Sequence, residues 1–457
     1  MRIARVGHAT TVVSAGDLHC IMDPVLRVPF CSDLLCFDPP VEIDLERVSE
    51  RCSIAILSHE HADHFDVKSL ELIRRDAEFL FPAGAKLIEK VLARMGFRRP
   101  RPVSPGQDEV RLGPLRLVPT PSDVPFPEMG MFFFADGASC WNQVDSHTNA
   151  PIVEWVKSAL GRPDLMLAKY QPIVEWDLSV DAIGGAFPHQ DYGAFVAGAL
   201  DAAPHWLAPG ACGFRYVDSW LNDRGFPITP AQFLSDVAAH CTPDEIHGLL
   251  LQHGEAVELH RPSSGELSVQ RCDNPWAKQL GDVKGPSYHW RPQHGVPPLR
   301  DQNRQAYSEA QLHERVPAFL NHTFLLLLAS PHQQAWRERM ARLGVLWRLQ
   351  IIYPDGAIDT RCLDLRQTPL RWLPDDEERF AKIQTAVTAS TLLGVIDGEV
   401  LPERLIMGEL RVALRLYESQ RGGAVRAGNR DDEPLLRVLL PGARELYVER
   451  ELTRLGY

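Results

Sequence analysis

Short apolar runs bounded by turn residues characterise the first half of the chain. RIARVGHATTVVSA, LHCIMDPVL, CSIAILSHE, LRLVPTPSD and GMFFFADG each contain about four to eight strand-favouring residues between Gly, Pro, Asp or Ser. Between them, DVKSLELIRRD, GAKLIEKVLARMG and DYGAFVAGALDAA place apolar residues at helical spacing. Strands mixed with intervening helices predict an α/β or layered β-sandwich arrangement.

A polar segment rich in proline divides the chain. DVKGPSYHWRPQHGVPPLRDQNRQ, residues 282–305, has weak periodicity and predicts a linker. After it, SEAQLHERVPAFLNHTF predicts a helix and LWRLQIIYPDG a strand, while ERFAKIQTAVTASTLLGVIDG and PERLIMGELRVALRLYESQ predict further helices. We therefore predict a first domain over 1–265, a linker over 266–310 and a C-terminal α+β domain over 311–457.

Composition narrows the class of protein. The chain has 457 residues, of which 45% are hydrophobic and 24% are charged, as in soluble proteins that bury a large core. Its net charge of −12 weighs against a nucleic-acid partner, because nucleic-acid binding needs a concentrated basic surface. Nine scattered cysteines without a CxxC pair favour a reducing compartment. We expect a cytoplasmic protein that has no signal peptide and no membrane span.

The segment SHEHADHFD, residues 58–66, carries the strongest chemical signal. It follows a strand-like apolar run and places His59, His61, Asp63 and His64 within six positions. His59 and His61 lie two apart and can face one metal position, while Asp63 and His64 can face a second position ~3.5–4 Å away. Imidazole and carboxylate ligands suit iron, zinc or manganese. A solvated loop rich in histidine is the alternative, but the dense spacing favours a site for one or two transition-metal ions.

The His-x-His-x-Asp-His run resembles the signature of the metallo-β-lactamase superfamily. GHAT, IMDPVL and ILSHEHADHFDVKSL are also similar to the branch that includes ascorbate-6-phosphate lactonase and N-acylphosphatidylethanolamine phospholipase D. The resemblance covers about residues 1 to 260 and implies a four-layer αβ/βα sandwich with the metal site at the strand ends. It also implies that His59 and His61 bind the first metal, and that Asp63 and His64 bind the second.

The same resemblance implies two more site residues. Asp23, in IMDPVL, would be the buried aspartate that supports the metal loop from behind its ligands. Asp145, in FFFADGASCWNQVDS, would be the carboxylate that bridges the two metals.

Two histidines of the family pattern have no counterpart in this chain. The first commonly follows a TP turn, but VPTPSDVPF has Ser122 and Asp123 there. The second lies in a PxHxG-like segment, but APGACGF has Ala211 and Cys212. A standard dizinc site with three imidazoles on one metal therefore cannot be assembled by direct carry-over.

Three ways of completing the site remain open. Asp123 can act as an oxygen ligand, which would favour iron or manganese, or it can cap the turn after the preceding proline. His147 or His189 can fold inward and fill the gap. In the third case, the site holds one metal or none.

A second resemblance concerns the tail. TASTLLGVIDGEVLPERLIMGELRVALRLYE, residues 388–418, is similar to bacterial proteins related to CMP-N-acetylneuraminate hydroxylase, which pair a metallo-β-lactamase-like domain with a Rieske domain. The sequence has no pair of Cys-x-His and Cys-x-x-His elements, which a Rieske cluster needs. An oxygenase of this kind would take electrons from an external donor or from its substrate.

Three functions follow from these observations. An iron oxygenase would hold iron through the His-x-His-x-Asp-His residues and Asp145, and would act on a small polar metabolite. A zinc hydrolase would use Asp63 and Asp145 to orient a hydroxide against an ester, lactone, amide or phosphodiester. A degenerate scaffold would only bind a ligand or partner. The missing histidines and the tail favour hydroxylation by iron, with Asp63 and Asp145 as the catalytic residues.

Overall fold

A computed structural model describes most of the chain. The described residues are 1–172, 187–218, 220–222, 228–242, 245–262, 265–281, 297–373, 380–419 and 425–457. The chain divides into two compact units. Of the described residues, the first contains those within 1–172, 187–281 and Leu452–Tyr457, and the second contains those from 297 to Glu451.

The first unit contains nineteen strands among its described residues. They are β1 Arg2–Gly7, β2 Thr10–Ala15, β3 Leu18–Met22, β4 Leu35–Phe37, β5 Val41–Ile43, β6 Cys52–Ile56, β7 Glu78–Pro82, β8 Arg99–Val103, β9 Val110–Leu112, β10 Leu115–Pro121, β11 Met129–Ala135, β12 Ala138–Asn142, β13 Leu165–Ala168, β14 Trp206–Pro209, β15 Phe214–Tyr216, β16 His247–Gly248, β17 Ala256–His260, β18 Ser268–Cys272 and β19 Ala277–Gln279. Its helices are α1 Leu45–Arg51, α2 Val67–Leu70, α3 Lys86–Arg94, α4 Ala150–Leu160, α5 His189–Ala202 and α6 Pro230–Ala238.

Two mixed sheets organise this unit. The first has the order β18-β17-β1-β2-β3-β6-β7-β8, and the second has the order β16-β14-β13-β12-β11-β10-β9. In the first sheet, antiparallel pairing gives way to parallel pairing at β3 and continues parallel through β6, β7 and β8. In the second sheet, pairing turns parallel at β12 and continues through β13, β14 and β16. Because neighbouring parallel strands end at the same edge, the loops that leave them lie close together.

The two sheets pack face to face over a shared apolar core. Side chains from alternate positions, such as Ile54 and Ile56 of β6 and Met131 and Phe133 of β11, meet in this core. The next residue along β11, Phe132, faces the other way.

The outer faces of both sheets carry helices. Phe132 packs in one cluster with Val153 of α4, Ala199 of α5 and Phe233 of α6. On the first sheet, α1 contacts β6 and α3 contacts β8, and Ile88 of α3 is fully buried. The order of layers is helix, sheet, sheet, helix. The predicted four-layer αβ/βα sandwich is confirmed.

The first unit extends past the predicted boundary at residue 265. β18 pairs with β17 in the first sheet, and β19 pairs with β5. The segment predicted as a linker over 266–310 therefore begins with two strands, because β17 and β5 offer free edges for pairing. Residues 282–296 of that prediction lie outside the described residues.

The second unit is an α+β domain. Its described strands are β20 Leu346–Ile352, β21 Ile358–Asp364, β22 Trp372–Leu373, β23 Ile383–Thr388, β24 Leu410–Leu414, β25 Tyr417–Ser419 and β26 Val425–Ala427. Its described helices are α7 Glu309–Ala318, α8 Leu325–Leu328, α9 Gln334–Arg342, α10 Ala389–Ile396 and α11 Pro434–Arg454, with a π-helical turn over Phe319–Phe324. A sheet of order β22-β21-β20-β23-β24 buries Trp347, Leu349 and Ile351 in the core.

Two predicted helices of this unit are wrong in part. IQTAVT forms β23, and LRVAL forms β24, which pairs with it in antiparallel register. Both segments also have a period of two, and Leu410, Val412 and Leu414 all point into the core. The neighbouring strands supply backbone partners, so the strand period overrides the helical spacing. The TLLGVI segment is helical, within α10.

None of the helices in the described part of the chain combines the length and apolarity needed to cross a lipid bilayer.

Glu433, at the start of α11, provides a test of stability against pH. Its carboxylate is fully buried and accepts hydrogen bonds from Thr385 Oγ1 at 2.6 Å and from the backbone nitrogen of Leu436 at 2.6 Å. Burial raises its pKa to about 7, above the usual value of 4.5 for a glutamate. The folded chain therefore holds a proton that the unfolded chain releases between these two pKa values, and stability should fall as pH rises through this window.

We compare the free energy of unfolding of the wild-type protein with that of Glu433→Gln, which cannot titrate at this position. The wild-type value should fall by about 2–3 kcal/mol relative to the variant between pH 5 and pH 8. Urea denaturation followed by circular dichroism at both pH values measures this difference. Parallel pH profiles for the two proteins would contradict the prediction.

Candidate metal centre

The histidine-rich loop leaves the carboxyl end of β6, in the middle of the first sheet. The backbone nitrogen of Asp23 donates to Ile56 O at 2.8 Å, and that of Leu57 donates to Leu80 O at 2.9 Å, so neighbouring strands hold both sides of the strand end. Beyond the loop, Asp66 caps α2 by accepting from the backbone nitrogen of Ser69. The loop is therefore fixed at both ends, which limits the directions in which its side chains can point.

Asp23 organises the loop from inside. It is fully buried, and its Oδ1 accepts from the backbone nitrogen of Ser58 at 2.7 Å. Its Oδ2 accepts from Ser58 Oγ at 2.7 Å and lies 2.9 Å from His64 Nδ1. This pairing orients the imidazole so that Nε2 is free to face a metal. His64 Nε2 is buried and has no hydrogen-bond partner.

Two carboxylates converge on that nitrogen. Asp145 Oδ2 lies 3.3 Å from His64 Nε2, and Asp63 Oδ2 lies 3.5 Å from it. Asp145 follows β12 in the second sheet, so the cluster joins the ends of both sheets. His8, which follows β1, places its Nε2 3.2 Å from Asp63 Oδ2.

Among the described residues, two groups of side chains have ligand atoms that all lie within 4.8 Å of one another. One consists of His59, His64 and Asp145, and the other consists of His8, Asp63 and His64. They share His64. His61 lies beside the first group, with its Nδ1 2.9 Å from His59 Nε2.

The charges of these groups match a cation site. Burial alone would lower the pKa of His64, but Asp63 and Asp145 outweigh it and raise that pKa well above its usual value. Burial alone would raise the pKa values of both carboxyl groups, but His64 holds them well below the usual range. Burial, with His64 and His61 nearby, lowers the pKa of His59. The two carboxylates therefore favour the protonated form of His64, with which a metal ion would compete.

The donor set fits a transition-metal ion. It consists of buried imidazoles and ionised carboxylates, and it includes a buried imidazole nitrogen without a hydrogen-bond partner. Such nitrogen and oxygen donors suit iron, zinc or manganese.

Three residues considered as replacement ligands lie outside both groups. Asp123 is exposed, and its Oδ2 accepts from Asn149 Nδ2 at 2.9 Å. His147 is also exposed and places its Nε2 3.0 Å from Lys169 Nζ. His189 is the first residue of α5, and its ring packs against Phe187. Asp123 and His147 lie next to each other, because the backbone nitrogen of Asp123 donates to the carbonyl oxygen of His147 at 2.8 Å.

The second missing histidine also has no replacement at its own position. Ala211 is buried. Cys212 belongs to neither group, and burial together with Asp145 raises the pKa of its thiol well above the usual value. The carbonyl of Cys212 accepts from Tyr170 OH at 2.9 Å.

Two residues of the site were not found from the sequence. His8 lies in the GHAT motif, which supported the family resemblance without suggesting a ligand. Glu128 is buried just before β11, where its Oε1 accepts from Ser122 Oγ at 2.5 Å and its Oε2 lies 4.0 Å from His59 Nδ1. Burial raises its pKa. Glu128 lies six residues after Ser122, and Ser122 stands where the first histidine of the family pattern is missing. This closeness in the sequence was the only signal that could have indicated Glu128.

Comparisons with known proteins gave matches to solved structures alone. No family model and no curated protein matches the chain. CmlA, a diiron β-hydroxylase from Streptomyces venezuelae, is 16% identical, with a TM-score of 0.39 over 59% of this chain. The metallo hydrolase Igni18 from Ignicoccus hospitalis is 16% identical, with a TM-score of 0.37 over 60% of this chain and 99% of its own. An isothiocyanate hydrolase from Delia radicum gut bacteria is 15% identical, with a TM-score of 0.40 over 59% of this chain and 99% of its own. The chain spans 54% of the CmlA chain.

Proposed function

We propose that this protein is a metal-dependent enzyme that hydroxylates a small polar metabolite, with iron as its metal. The observation that carries the proposal is the convergence of Asp63 and Asp145 on the buried nitrogen of His64. A donor set rich in carboxylate favours iron or manganese over zinc. Glu128 adds a further buried carboxyl group beside the site, with its Oε2 4.0 Å from His59 Nδ1.

Each residue of the chain has a distinct task in this proposal. His59, His64 and Asp145 would hold one ion, and His8 and Asp63 lie beside it, where they would serve an adjacent ion. Asp23 keeps His64 oriented by accepting from its Nδ1. Bound iron would supply the activation of dioxygen. The given sequence has no Rieske motif, so an external donor or the substrate would supply the electrons.

Zinc-dependent hydrolysis is the second candidate, and His8 is the observation that favours it. His8 adds an imidazole next to Asp63, which partly compensates for the missing histidines. With zinc, the residues Asp63 and Asp145 would orient a hydroxide nucleophile toward an ester, lactone, amide or phosphodiester.

Metal analysis distinguishes the two functions. We expect protein purified without added metal to contain iron close to stoichiometry and to consume dioxygen when a reductant is present. Elemental analysis and an oxygen electrode measure these two quantities. Tightly bound zinc with esterase or phosphodiesterase turnover would favour hydrolysis, and no bound metal at all would contradict both functions.

A further inference from the structure

A cavity of about 300 Å³ lies behind the metal centre, within the first unit. Most of its wall is apolar and includes Pro39, Phe214 and Leu250. The ring of Phe214 packs edge-on against His8 at a centroid distance of 4.9 Å, so one layer of side chains separates the cavity from the metal-site residues. The five residues of the two groups of ligand side chains do not line this cavity, and neither does His61.

One of the residues that line this cavity is a buried arginine. Arg5, on β1, is 4% exposed. Its Nη1 donates to Pro209 O at 2.8 Å and its Nη2 donates to His8 O at 2.8 Å. Its Nε is buried and has no hydrogen-bond partner. Two backbone carbonyls therefore orient Arg5, and its Nη2 also lies 3.5 Å from His253 Nε2, while the N–H of Nε is unused.

The charge of Arg5 lacks a counter-charge. Across the described residues, no carboxylate forms an ion pair with it, and burial lowers its pKa to about 10, so it is still a cation at neutral pH. Asp38 also lines the cavity, but the charged group that acts on its pKa is Arg215. A buried charge is costly unless an opposite charge accompanies it.

We propose that this cavity binds a small organic carboxylate, with its oxygens accepting from Arg5 and its apolar body against Phe214 and Leu250. Guanidinium groups pair well with carboxylates, and the ligand would supply the counter-charge that the chain lacks. The mostly apolar wall suits a monoanion with a hydrocarbon body better than inorganic phosphate. Binding at Arg5 requires neither metal nor turnover, and it therefore does not depend on the function proposed above.

Benzoate and its neutral analogue benzamide are suitable probes. We expect isothermal titration to show that benzoate binds at least about tenfold more tightly than benzamide, because only benzoate can pair with the guanidinium. Inorganic phosphate should not compete with it. Equal binding of benzoate and benzamide, no benzoate binding at about 10 mM, or displacement of benzoate by phosphate would each overturn the proposal.

Substitutions locate the binding and control for folding. Ala231, exposed in the first turn of α6, lines the cavity, so Ala231→Trp should fill it and weaken benzoate binding at least about tenfold. Ala238→Trp, at the exposed end of the same helix, is the matched control and should bind benzoate like the wild type. Unchanged binding in Ala231→Trp would overturn the proposal.

Two further variants separate charge from shape and from the metal centre. Arg5→Met should also weaken benzoate binding while leaving benzamide binding unchanged. If this variant does not fold, the pair of alanine variants still decides the result. Asp145→Ala should bind benzoate normally, so a failure of the metal centre and a failure of the carboxylate site give different outcomes.

Discussion

Replacing Asp145 with alanine is expected to remove most of the bound metal and to reduce any metal-dependent activity by at least about a thousandfold. Asp145 is the one carboxylate in the group that contains His59 and His64, and it comes from the other sheet. Without it, two imidazoles remain, and a cation loses the ionised oxygen that offsets its charge. Elemental analysis of the purified variant, together with its thermal unfolding, measures the loss of metal and shows whether the fold is retained.

Asp123→Ala is the matched control for this experiment. Both residues are aspartates in neighbouring loops at the ends of the second sheet, but Asp123 is exposed and bonded to Asn149. Asp123→Ala should retain its metal. Full metal content in Asp145→Ala would exclude Asp145 from the site, and loss of metal in Asp123→Ala would show that Asp123 is needed there.

Replacing Asp23 with asparagine is expected to lower both stability and metal affinity. The side chain keeps its size, and asparagine tolerates the left-handed backbone at this position, where φ is 47°. Its amide nitrogen cannot accept from His64 Nδ1, and the imidazolium loses a buried counter-charge. We expect a loss of about 3 kcal/mol in the free energy of unfolding and a decrease of roughly 10–100-fold in metal affinity.

Urea denaturation of the metal-free protein and competition with a metal chelator measure these two effects. Asp17→Asn is the control, because Asp17 is an exposed aspartate in the turn between β2 and β3. We expect its stability to change by less than about 0.5 kcal/mol. If Asp23→Asn bound metal as tightly as the wild type, Asp23 would have no part in orienting His64.

Local pattern was sufficient for much of the first unit. Short apolar runs bounded by turn residues correspond to β6 and β11, and the layered α/β class followed from how strands and helices alternate. The loop from His59 to His64 could also be recognised, because four ligand-type side chains lie within a single turn of chain. Close spacing in sequence guarantees closeness in space, and such a cluster is therefore visible before folding is considered.

Contacts between distant segments were decided by the tertiary structure. His8 and Glu128 reach the centre because β1 ends and β11 begins near the carboxyl end of β6, and no local pattern records which strands become neighbours. The segment Leu410–Leu414 forms a strand because it pairs with β23, although the spacing of its apolar residues is also compatible with a helix. The pattern of the amino-acid sequence by itself indicated a layered α/β arrangement and the histidine-rich loop, since both depend on short-range periodicity and spacing, and the family resemblance supplied the αβ/βα order of layers. The remaining members of the centre, and the buried Arg5 beside it, depend on long-range packing, which brings together residues that are far apart in the chain.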